Sequence, residues 1–312
     1  MQRRAEPRVQ ELVGSVLVGL GAPEASRAVL GRVTMLPLRD DVRVVLAHVV
    51  SRLRLTAARE RLQARARDVA HAAALDLSRR LPPGARIEVI VDSGSVASVL
   101  ARTAGTAEAD LVVLGASGST EEIAETLLGS TAERVVRRGS IPALVVRLEP
   151  RAPYRKPLLA VTLDSLTVEA LPLMLRLLPR PRPRVTVVHA WEPWFDLLGQ
   201  PFFSAEERRR YRNEDRNVLQ RRLARRLTNQ LIALRPLGDD VSWSSLVRFG
   251  AARTVVGEVA RAMRADLLVL GTHGRTGLAY AFRGTVGGEL LRDVGCDVLL
   301  VPRTATDLPS GP

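Results

Sequence analysis

The sequence predicts an α/β fold made of two tandem, doubly wound parallel-sheet domains, with five strands in each open sheet. Short runs of valine and leucine alternate with amphipathic helical segments, which is typical of parallel strands joined by helical crossovers. The order of these segments repeats after about 150 residues, a period that indicates two domains and not a solenoid. The length of 312 residues is enough to give each domain its own core.

The first half contains five strand-like and four helical segments. Strands are predicted at 15–20, 42–50, 86–91, 110–114 and 143–148, and helices at 25–36, 52–81, 96–107 and 131–138. The first apolar run follows Arg3 and Arg4, as the core of a signal peptide would. Glu6 and Glu11 interrupt that basic region, and the run has a counterpart later in the chain. We therefore interpret it as the first strand.

The second half repeats the same order of segments. Strands are predicted at 158–163, 184–189, 241–247, 266–270 and 298–301, and helices at 168–178, 205–234, 254–263 and 287–292. The sequence Ala-Asp-Leu-Val-Val-Leu-Gly around Asp110 returns as Ala-Asp-Leu-Leu-Val-Leu-Gly around Asp266. A stretch with three prolines at 149–157 suits a short linker, so the predicted domains are 1–150 and 151–312.

Composition limits the classes of partner. The net charge of +13 comes from arginine, since Lys156 is the only lysine. The arginines are spread along helical segments with few aromatic residues among them, so we expect solvated helix faces and no nucleic-acid partner. The single cysteine, Cys296, excludes an intrachain disulfide. No apolar run reaches the roughly 18 residues that span a membrane. We expect a cytoplasmic protein with no membrane partner.

The segment that begins at Gly271 carries the strongest signal for a ligand. A buried strand ends at Gly271, and Gly274, Gly284 and Thr285 follow it. Glycines in a loop between a strand and a helix allow backbone N–H groups to approach a phosphate, and the helix dipole favours the negative charge. Because no GxxxxGK[ST] motif is present, the loop does not belong to a P-loop enzyme.

The whole chain resembles the universal stress protein family in its tandem two-domain form. ATP-binding members of that family carry Gly, two residues, Gly, nine residues, Gly and then Ser or Thr, and Gly271, Gly274, Gly284 and Thr285 match this spacing. The resemblance implies that Asp164 after the first strand and Ala190 after the strand-two histidine contact the adenosine part. It also implies that Val286 offers the next backbone N–H to phosphate, and that ATP binds with or without Mg²⁺.

The first half departs from the family pattern. We place Gly21 at the position of the aspartate, and ten residues, not nine, separate Gly118 from Gly129. Three carboxylates occur in that interval, at Glu121, Glu122 and Glu125, and they repel a triphosphate unless a metal intervenes. The sequence therefore predicts that only the second half binds nucleotide strongly.

Several candidate residues also have a structural interpretation. Asp164 is a nucleotide contact or the N-cap of the next helix, and Thr285 is a phosphate contact, a helix cap or both. His273 in the loop is a phosphate contact or an exposed residue. The aromatic segment 191–203 is a lid, a partner surface or a loop packed on the long helix. We expect His48 and His189 to pack at strand ends, and no His, Cys and carboxylate set has metal-ligand spacing.

These observations predict an ATP-binding stress-response protein that acts as a nucleotide-dependent signalling switch for protein partners. No residue is placed to activate a water, so we expect no catalytic residue and at most slow ATP hydrolysis. Because family members pair through their last strands, the resemblance implies an intramolecular pseudo-dimer and allows a homodimer. The alternative is a scaffold for protein partners that no longer uses nucleotide.

Overall fold

The computed structural model describes residues 12–21, 23–50, 56–116, 134–135, 141–147, 149–161, 167–191, 204–235, 237–271 and 294–302. In the first half these residues form β1 Val13–Leu20, α1 Pro23–Val33, β2 Leu38–Val50, α2 Thr56–Ser78, β3 Arg86–Ser93, α3 Val96–Thr106, β4 Leu111–Gly115 and β5 Ala143–Val146. In the second half they form β6 Pro157–Ala160, α4 Thr167–Leu177, β7 Val185–Trp191, α5 Ala205–Ala233, β8 Trp243–Phe249, α6 Ala252–Met263, β9 Leu267–Gly271 and β10 Asp297–Val301.

All ten strands join into one sheet with the order β3-β2-β1-β4-β5-β10-β9-β6-β7-β8. Neighbouring strands are parallel within each half, whereas β5 and β10 pair antiparallel at the centre. The strand order of the second half thus repeats that of the first. Because the central pair is antiparallel, the carboxyl ends of the strands in the two halves point to opposite edges of the sheet.

Alternating side chains build a separate core on each face of the sheet. On one face, α1, α2, α4 and α5 pack against residues such as Val18 and Leu159. On the other face, α3 and α6 pack against the adjacent positions, including Leu17 and Leu158. This two-sided burial explains the continuous apolar runs that predicted parallel strands.

The repeated aspartate at the start of the fourth strand has the same structural role in both halves. Asp110 Oδ2 accepts hydrogen bonds from the backbone N–H groups of Gly14 and Ser15, at 2.8 and 3.0 Å. Asp266 accepts from the backbone of Arg155 and Lys156, at 2.6 and 2.9 Å. Each carboxylate thereby fixes the start of the central strand beside it.

A buried cluster joins the two halves near β10. Asp297 Oδ2 accepts hydrogen bonds from Arg32 Nε at 2.9 Å and from the Tyr154 hydroxyl at 2.8 Å, and its Oδ1 accepts from the backbone of Arg147. The guanidinium of Arg32 also lies 4.1 Å from the centre of the Tyr154 ring and donates to the carbonyl of Ala152. These contacts connect α1, the inter-domain linker and β10.

The doubly wound α/β fold predicted from the sequence is confirmed, with changes at several boundaries. The first apolar run is strand β1, and β6 ends at Ala160, earlier than the predicted residue 163. The predicted helix at 287–292 lies outside the described residues, and only residues 134–135 of the predicted helix at 131–138 are described. Among the described helices, none is both long enough and apolar enough to cross a membrane.

Candidate functional site

The candidate site lies where the two central strands of the second half end. Strands β6 and β9 are neighbours, and Ala160 of β6 pairs with Leu270 of β9, directly before Gly271. The chain leaves β6 towards β7 on one side, whereas β9 leads to β10 on the other side. The ends of β6 and β9 therefore form a topological switch point, the place where open α/β sheets bind ligands.

The third strand at this site is β7, which carries the half-buried Ala190. Its neighbour His189 is hydrogen-bonded through Nδ1 to the carbonyl oxygen of Val161 at 3.0 Å, and Val161 N–H donates to the carbonyl of Val188. These bonds fix the direction in which the chain leaves β6. Ala190 lies one residue further along, so the structure brings it to the same edge of the sheet as Gly271.

Sequence reasoning did not identify this positioning role of the histidines. His48 in the first half makes the same contact, from Nδ1 to the carbonyl of Leu20 at 3.1 Å. In both halves the histidine follows its partner by 28 residues. That equal spacing between a histidine and the end of the first strand is the signal that was available in the sequence.

All the other predicted contacts lie outside the described residues. These are Asp164, Gly274, Gly284, Thr285 and Val286 in the second half, together with His273. The carboxylates Glu121, Glu122 and Glu125 of the first half also lie outside them. The structure thus brings together Gly271 and Ala190, the two predicted contacts that it describes.

The strand register corrects the predicted counterpart of Asp164. Gly19 of β1 pairs with Leu114 of β4, and Ala160 of β6 pairs with Leu270 of β9, so Gly19 and Ala160 are equivalent. Leu20 then corresponds to Val161, as the two histidine contacts also require. Gly21 is the next residue after Leu20, whereas Asp164 is the third residue after Val161, so the strand register does not support the predicted assignment of Gly21 to the position of Asp164.

The connection after the first strand is longer in the second half. Five residues, 162–166, lie between Val161 and α4, whereas two residues, 21–22, lie between Leu20 and α1. Asp164 belongs to this longer connection. The first half therefore has a shorter connection, and its helix begins at Pro23, close to the end of the strand.

The short connection places α1 directly against the end of β4. A Cβ atom added to Gly115 would lie 2.9 Å from the Cβ of Ala25, closer than two carbon atoms pack. Gly115 is the counterpart of Gly271, so helix α1 occupies the space beside the first glycine of the loop in the first half. This crowding leaves little space beside Gly115 at the strand end of the first half.

Neither a metal cluster nor a reactive thiol is found near the site among the residues that the structure describes. Within the described ranges, no group of three or more His, Cys, Asp or Glu side chains could hold a metal ion. Cys296 is buried in the core on the α6 face, and burial raises the pKa of its thiol to about 12. A thiol with such a pKa stays protonated at neutral pH, so Cys296 is a core residue.

Comparison with known proteins agrees with the fold. The model of the universal stress protein family matches residues 13–147 and 153–302. A curated relative from Thermus aquaticus, described as a universal stress protein in QAH/OAS sulfhydrylase 3'region, is 31% identical over 118 residues, which is 38% of this chain and 77% of the relative.

Two solved structures have a similar fold over nearly the whole chain. A universal stress protein from Archaeoglobus fulgidus has a TM-score of 0.68 at 13% identity, with 96% of this chain and 100% of that chain covered. A putative universal stress protein from Pseudomonas aeruginosa has a TM-score of 0.50 at 15% identity, with 94% of each chain covered. The chain therefore belongs to the universal stress protein family, with two family domains in tandem.

Proposed function

We propose that the second half binds ATP at the ends of β6 and β9 and that the first half does not. One observation carries the proposal. The sheet order makes β6 and β9 neighbours at a topological switch point, so the connection that carries Asp164 and the glycine loop both start from adjacent strand ends. Parallel α/β sheets bind their ligands in this position.

The residues present fit a nucleotide with phosphates. Gly271 ends β9 without a side chain, so no side chain at this position obstructs a phosphate. The glycines at 274 and 284 would supply backbone N–H donors, and Thr285 a hydroxyl. Ala190 lies at the same edge with a small side chain, which leaves space for a flat base. ATP would supply a polyanion to this site, with or without Mg²⁺.

We further propose that binding acts as a switch and not as the first step of rapid hydrolysis. A ligand shifts a conformational equilibrium only by its difference in affinity between two states. Contacts from the glycine loop to the phosphates would supply such a difference, and a protein partner would respond to the state that ATP favours. In this function, release of inorganic phosphate by the purified chain is slow compared with exchange of ATP.

Isothermal titration calorimetry of the purified chain with ATP tests the proposal. We expect saturable binding that is lost in Gly284→Glu, because the new carboxylate repels the phosphates, and weakened in Asp164→Ala. Gly129→Glu places the same substitution at the corresponding glycine of the first half and serves as the matched control. Unchanged binding in Gly284→Glu, or equal loss in Gly129→Glu, contradicts a site confined to the second half.

A further inference from the structure

A groove of about 530 Å³ runs beside the edge strand β8, between helices α5 and α6. Its wall contains none of the residues predicted to contact ATP. The lining residues are Trp191, Arg209, Arg212, Asn213, Arg216, Val247, Arg248, Phe249, Val255, Glu258, Val259 and Ala262. This volume is in the range of roughly 300 to 1,000 Å³ that small-molecule sites occupy.

The groove is strongly basic. Arg209, Arg212 and Arg216 follow one another at three- and four-residue spacings, so they lie on one face of α5. Arg248 of β8 adds a fourth guanidinium, and Glu258 is the one carboxylate among the described lining residues. Like charges gathered on one wall favour an anion, and arginine is the side chain best suited to phosphate oxygens.

Aromatic side chains lie among these arginines, which the sequence pattern did not indicate. Trp191 and Phe249 meet edge to face, with ring centres 6.3 Å apart. The guanidinium of Arg212 stacks 4.2 Å from the centre of the Phe249 ring, and Phe249 is still 45% exposed. The Nε1 atom of Trp191 is buried and has no hydrogen-bond partner among the described residues. Flat surfaces and guanidinium groups thus occur side by side.

The edge of β8 in this region is already covered by a side chain. The amide of Gln220 donates to the carbonyl of Ser245 at 2.7 Å and accepts from the N–H of Val247 at 3.0 Å, as a neighbouring strand would. An added peptide strand is therefore excluded at these positions. The groove is left for a compact anionic ligand with a planar part.

We propose that this groove binds nucleoside phosphates, either as free nucleotides or as units of a single-stranded nucleic acid. The arginines of α5 contact the phosphates, and the pair formed by Phe249 and Arg212 stacks on the base. Sequence-tolerant binding of single strands depends on this combination of a positively charged groove and aromatic rings. Trp191 of the groove directly follows Ala190, but the described lining contains none of the residues proposed to contact ATP, so the two proposals can be tested independently.

Two probes distinguish the sources of the ligand. Fluorescence anisotropy of a labelled oligothymidylate of about twelve nucleotides measures binding of a single strand. Calorimetry with thymidine monophosphate measures binding of the free nucleotide. We expect the full chain to bind at least one probe, with an affinity that falls steeply between about 50 and 200 mM salt. Binding of the oligonucleotide alone assigns the groove to single strands.

A matched pair of double variants tests the location. Arg209→Ala with Arg216→Ala removes two groove arginines, whereas Arg221→Ala with Arg225→Ala removes two exposed arginines of α5 outside the groove. We expect the first double variant to weaken oligothymidylate binding about tenfold or more. It should also reduce by about 1.4 the magnitude of the slope of the logarithm of the binding constant against the logarithm of salt concentration. The second double variant should change binding little. Phe249→Leu should weaken binding about tenfold with an unchanged slope.

Three results overturn the proposal. The first is that neither probe binds, as is expected if part of the chain itself fills the groove. The second is an equal loss of binding in the two double variants. The third is unchanged binding in Phe249→Leu. Circular dichroism verifies that each variant is folded. Gly284→Glu, which should abolish ATP binding, is expected to leave oligothymidylate binding intact, so failure of the ATP proposal and failure of the groove proposal give different results.

Discussion

At the scale of single residues, Asp297 stands out because its carboxylate forms a buried ion pair with Arg32. Its side chain is 1% exposed and that of its partner Arg32 is 7% exposed. Removing water from both charges costs free energy, and the two further donors, the Tyr154 hydroxyl and the Arg147 amide, offset part of that cost. Pro142 is the counterpart of Asp297 in the first half. Because proline has no carboxylate, the first half has no equivalent cluster.

Asp297→Ala should therefore destabilise the protein by about 3 to 5 kcal/mol, because it leaves the buried Arg32 without its anion. Urea unfolding followed by circular dichroism measures the change. The control is Glu88→Ala, which breaks an exposed ion pair with Arg43 and should cost about 1 kcal/mol or less. Similar losses in the two variants would show that the buried cluster has no special importance.

Two buried acids in this region predict a loss of stability in alkali. Burial and the charge of Asp297 raise the pKa of the Tyr154 hydroxyl well above its usual value near 10, and burial raises that of Cys296 from 9.0 to about 12. For a raised pKa, the stabilisation is complete below the pKa of the unfolded chain and is lost as pH rises beyond it. Stability should thus fall from about pH 9 through Cys296, and more steeply above pH 10 through Tyr154.

Single variants separate these contributions. The free energy of unfolding in urea is measured from pH 8 to about pH 11. Compared with the wild type, it should decline less in Cys296→Ala from about pH 9. In Tyr154→Phe it should decline less than in the wild type only above about pH 10. Each variant is less stable than the wild type at pH 8, so the comparison concerns slopes and not absolute values. A wild-type slope that neither variant changes would contradict the assignment.

At the scale of elements, the edge strand β8 depends on one side chain of α5. Gln220 satisfies the outward backbone groups of Ser245 and Val247, which otherwise remain open to pairing with another chain. Gln220→Ala should cost about 1 to 2 kcal/mol and accelerate hydrogen exchange of the Val247 amide. Asn229→Ala, at an exposed position of the same helix, is the control. Unchanged exchange at Val247 in Gln220→Ala would exclude this role.

Element order could be predicted from the sequence, because apolar periodicity and the repeated Ala-Asp-Leu pattern carry it. The equivalence of the first strands could not. Placing Gly21 at the position of Asp164 aligns Leu20 with Leu163. Strand pairing instead aligns Leu20 with Val161, two residues earlier. Since side chains alternate between faces with a period of two, a shift of two residues leaves every side chain on its original face. The hydrophobic pattern does not distinguish the two alignments, whereas pairing with β4 and β9 and the two histidine contacts do.

The same limit applies to the groove beside β8. The arginines of α5 and the residues Arg248 and Phe249 lie about 30 to 40 residues apart in the sequence, and helical spacing relates only near neighbours. The crossover from β7 through α5 to β8 brings them together. Gly271, in contrast, was proposed from the glycine motif at the end of a buried strand, and Ala190 from the resemblance to the family.

At the scale of the whole molecule, the two halves form one sheet but differ at their strand ends. The guanidinium groups of Arg32 and Arg176, at the same position of α1 and α4, each reach the opposite half, where Arg176 donates to the carbonyl of Leu12 at 3.0 Å. Antiparallel pairing of β5 with β10 places the candidate site of the second half and its crowded counterpart at opposite edges. A nucleotide bound in one half therefore does not contact the other strand-end site.

Counting ATP molecules on the intact chain is the most direct test of a single ATP site confined to the second half. Native mass spectrometry of the protein with ATP, with and without Mg²⁺, gives the number bound per chain and the number of subunits together. We expect one ATP per chain in the wild type and in Gly129→Glu, and none in Gly284→Glu. Two ATP molecules per chain, or one that persists in Gly284→Glu, would contradict it.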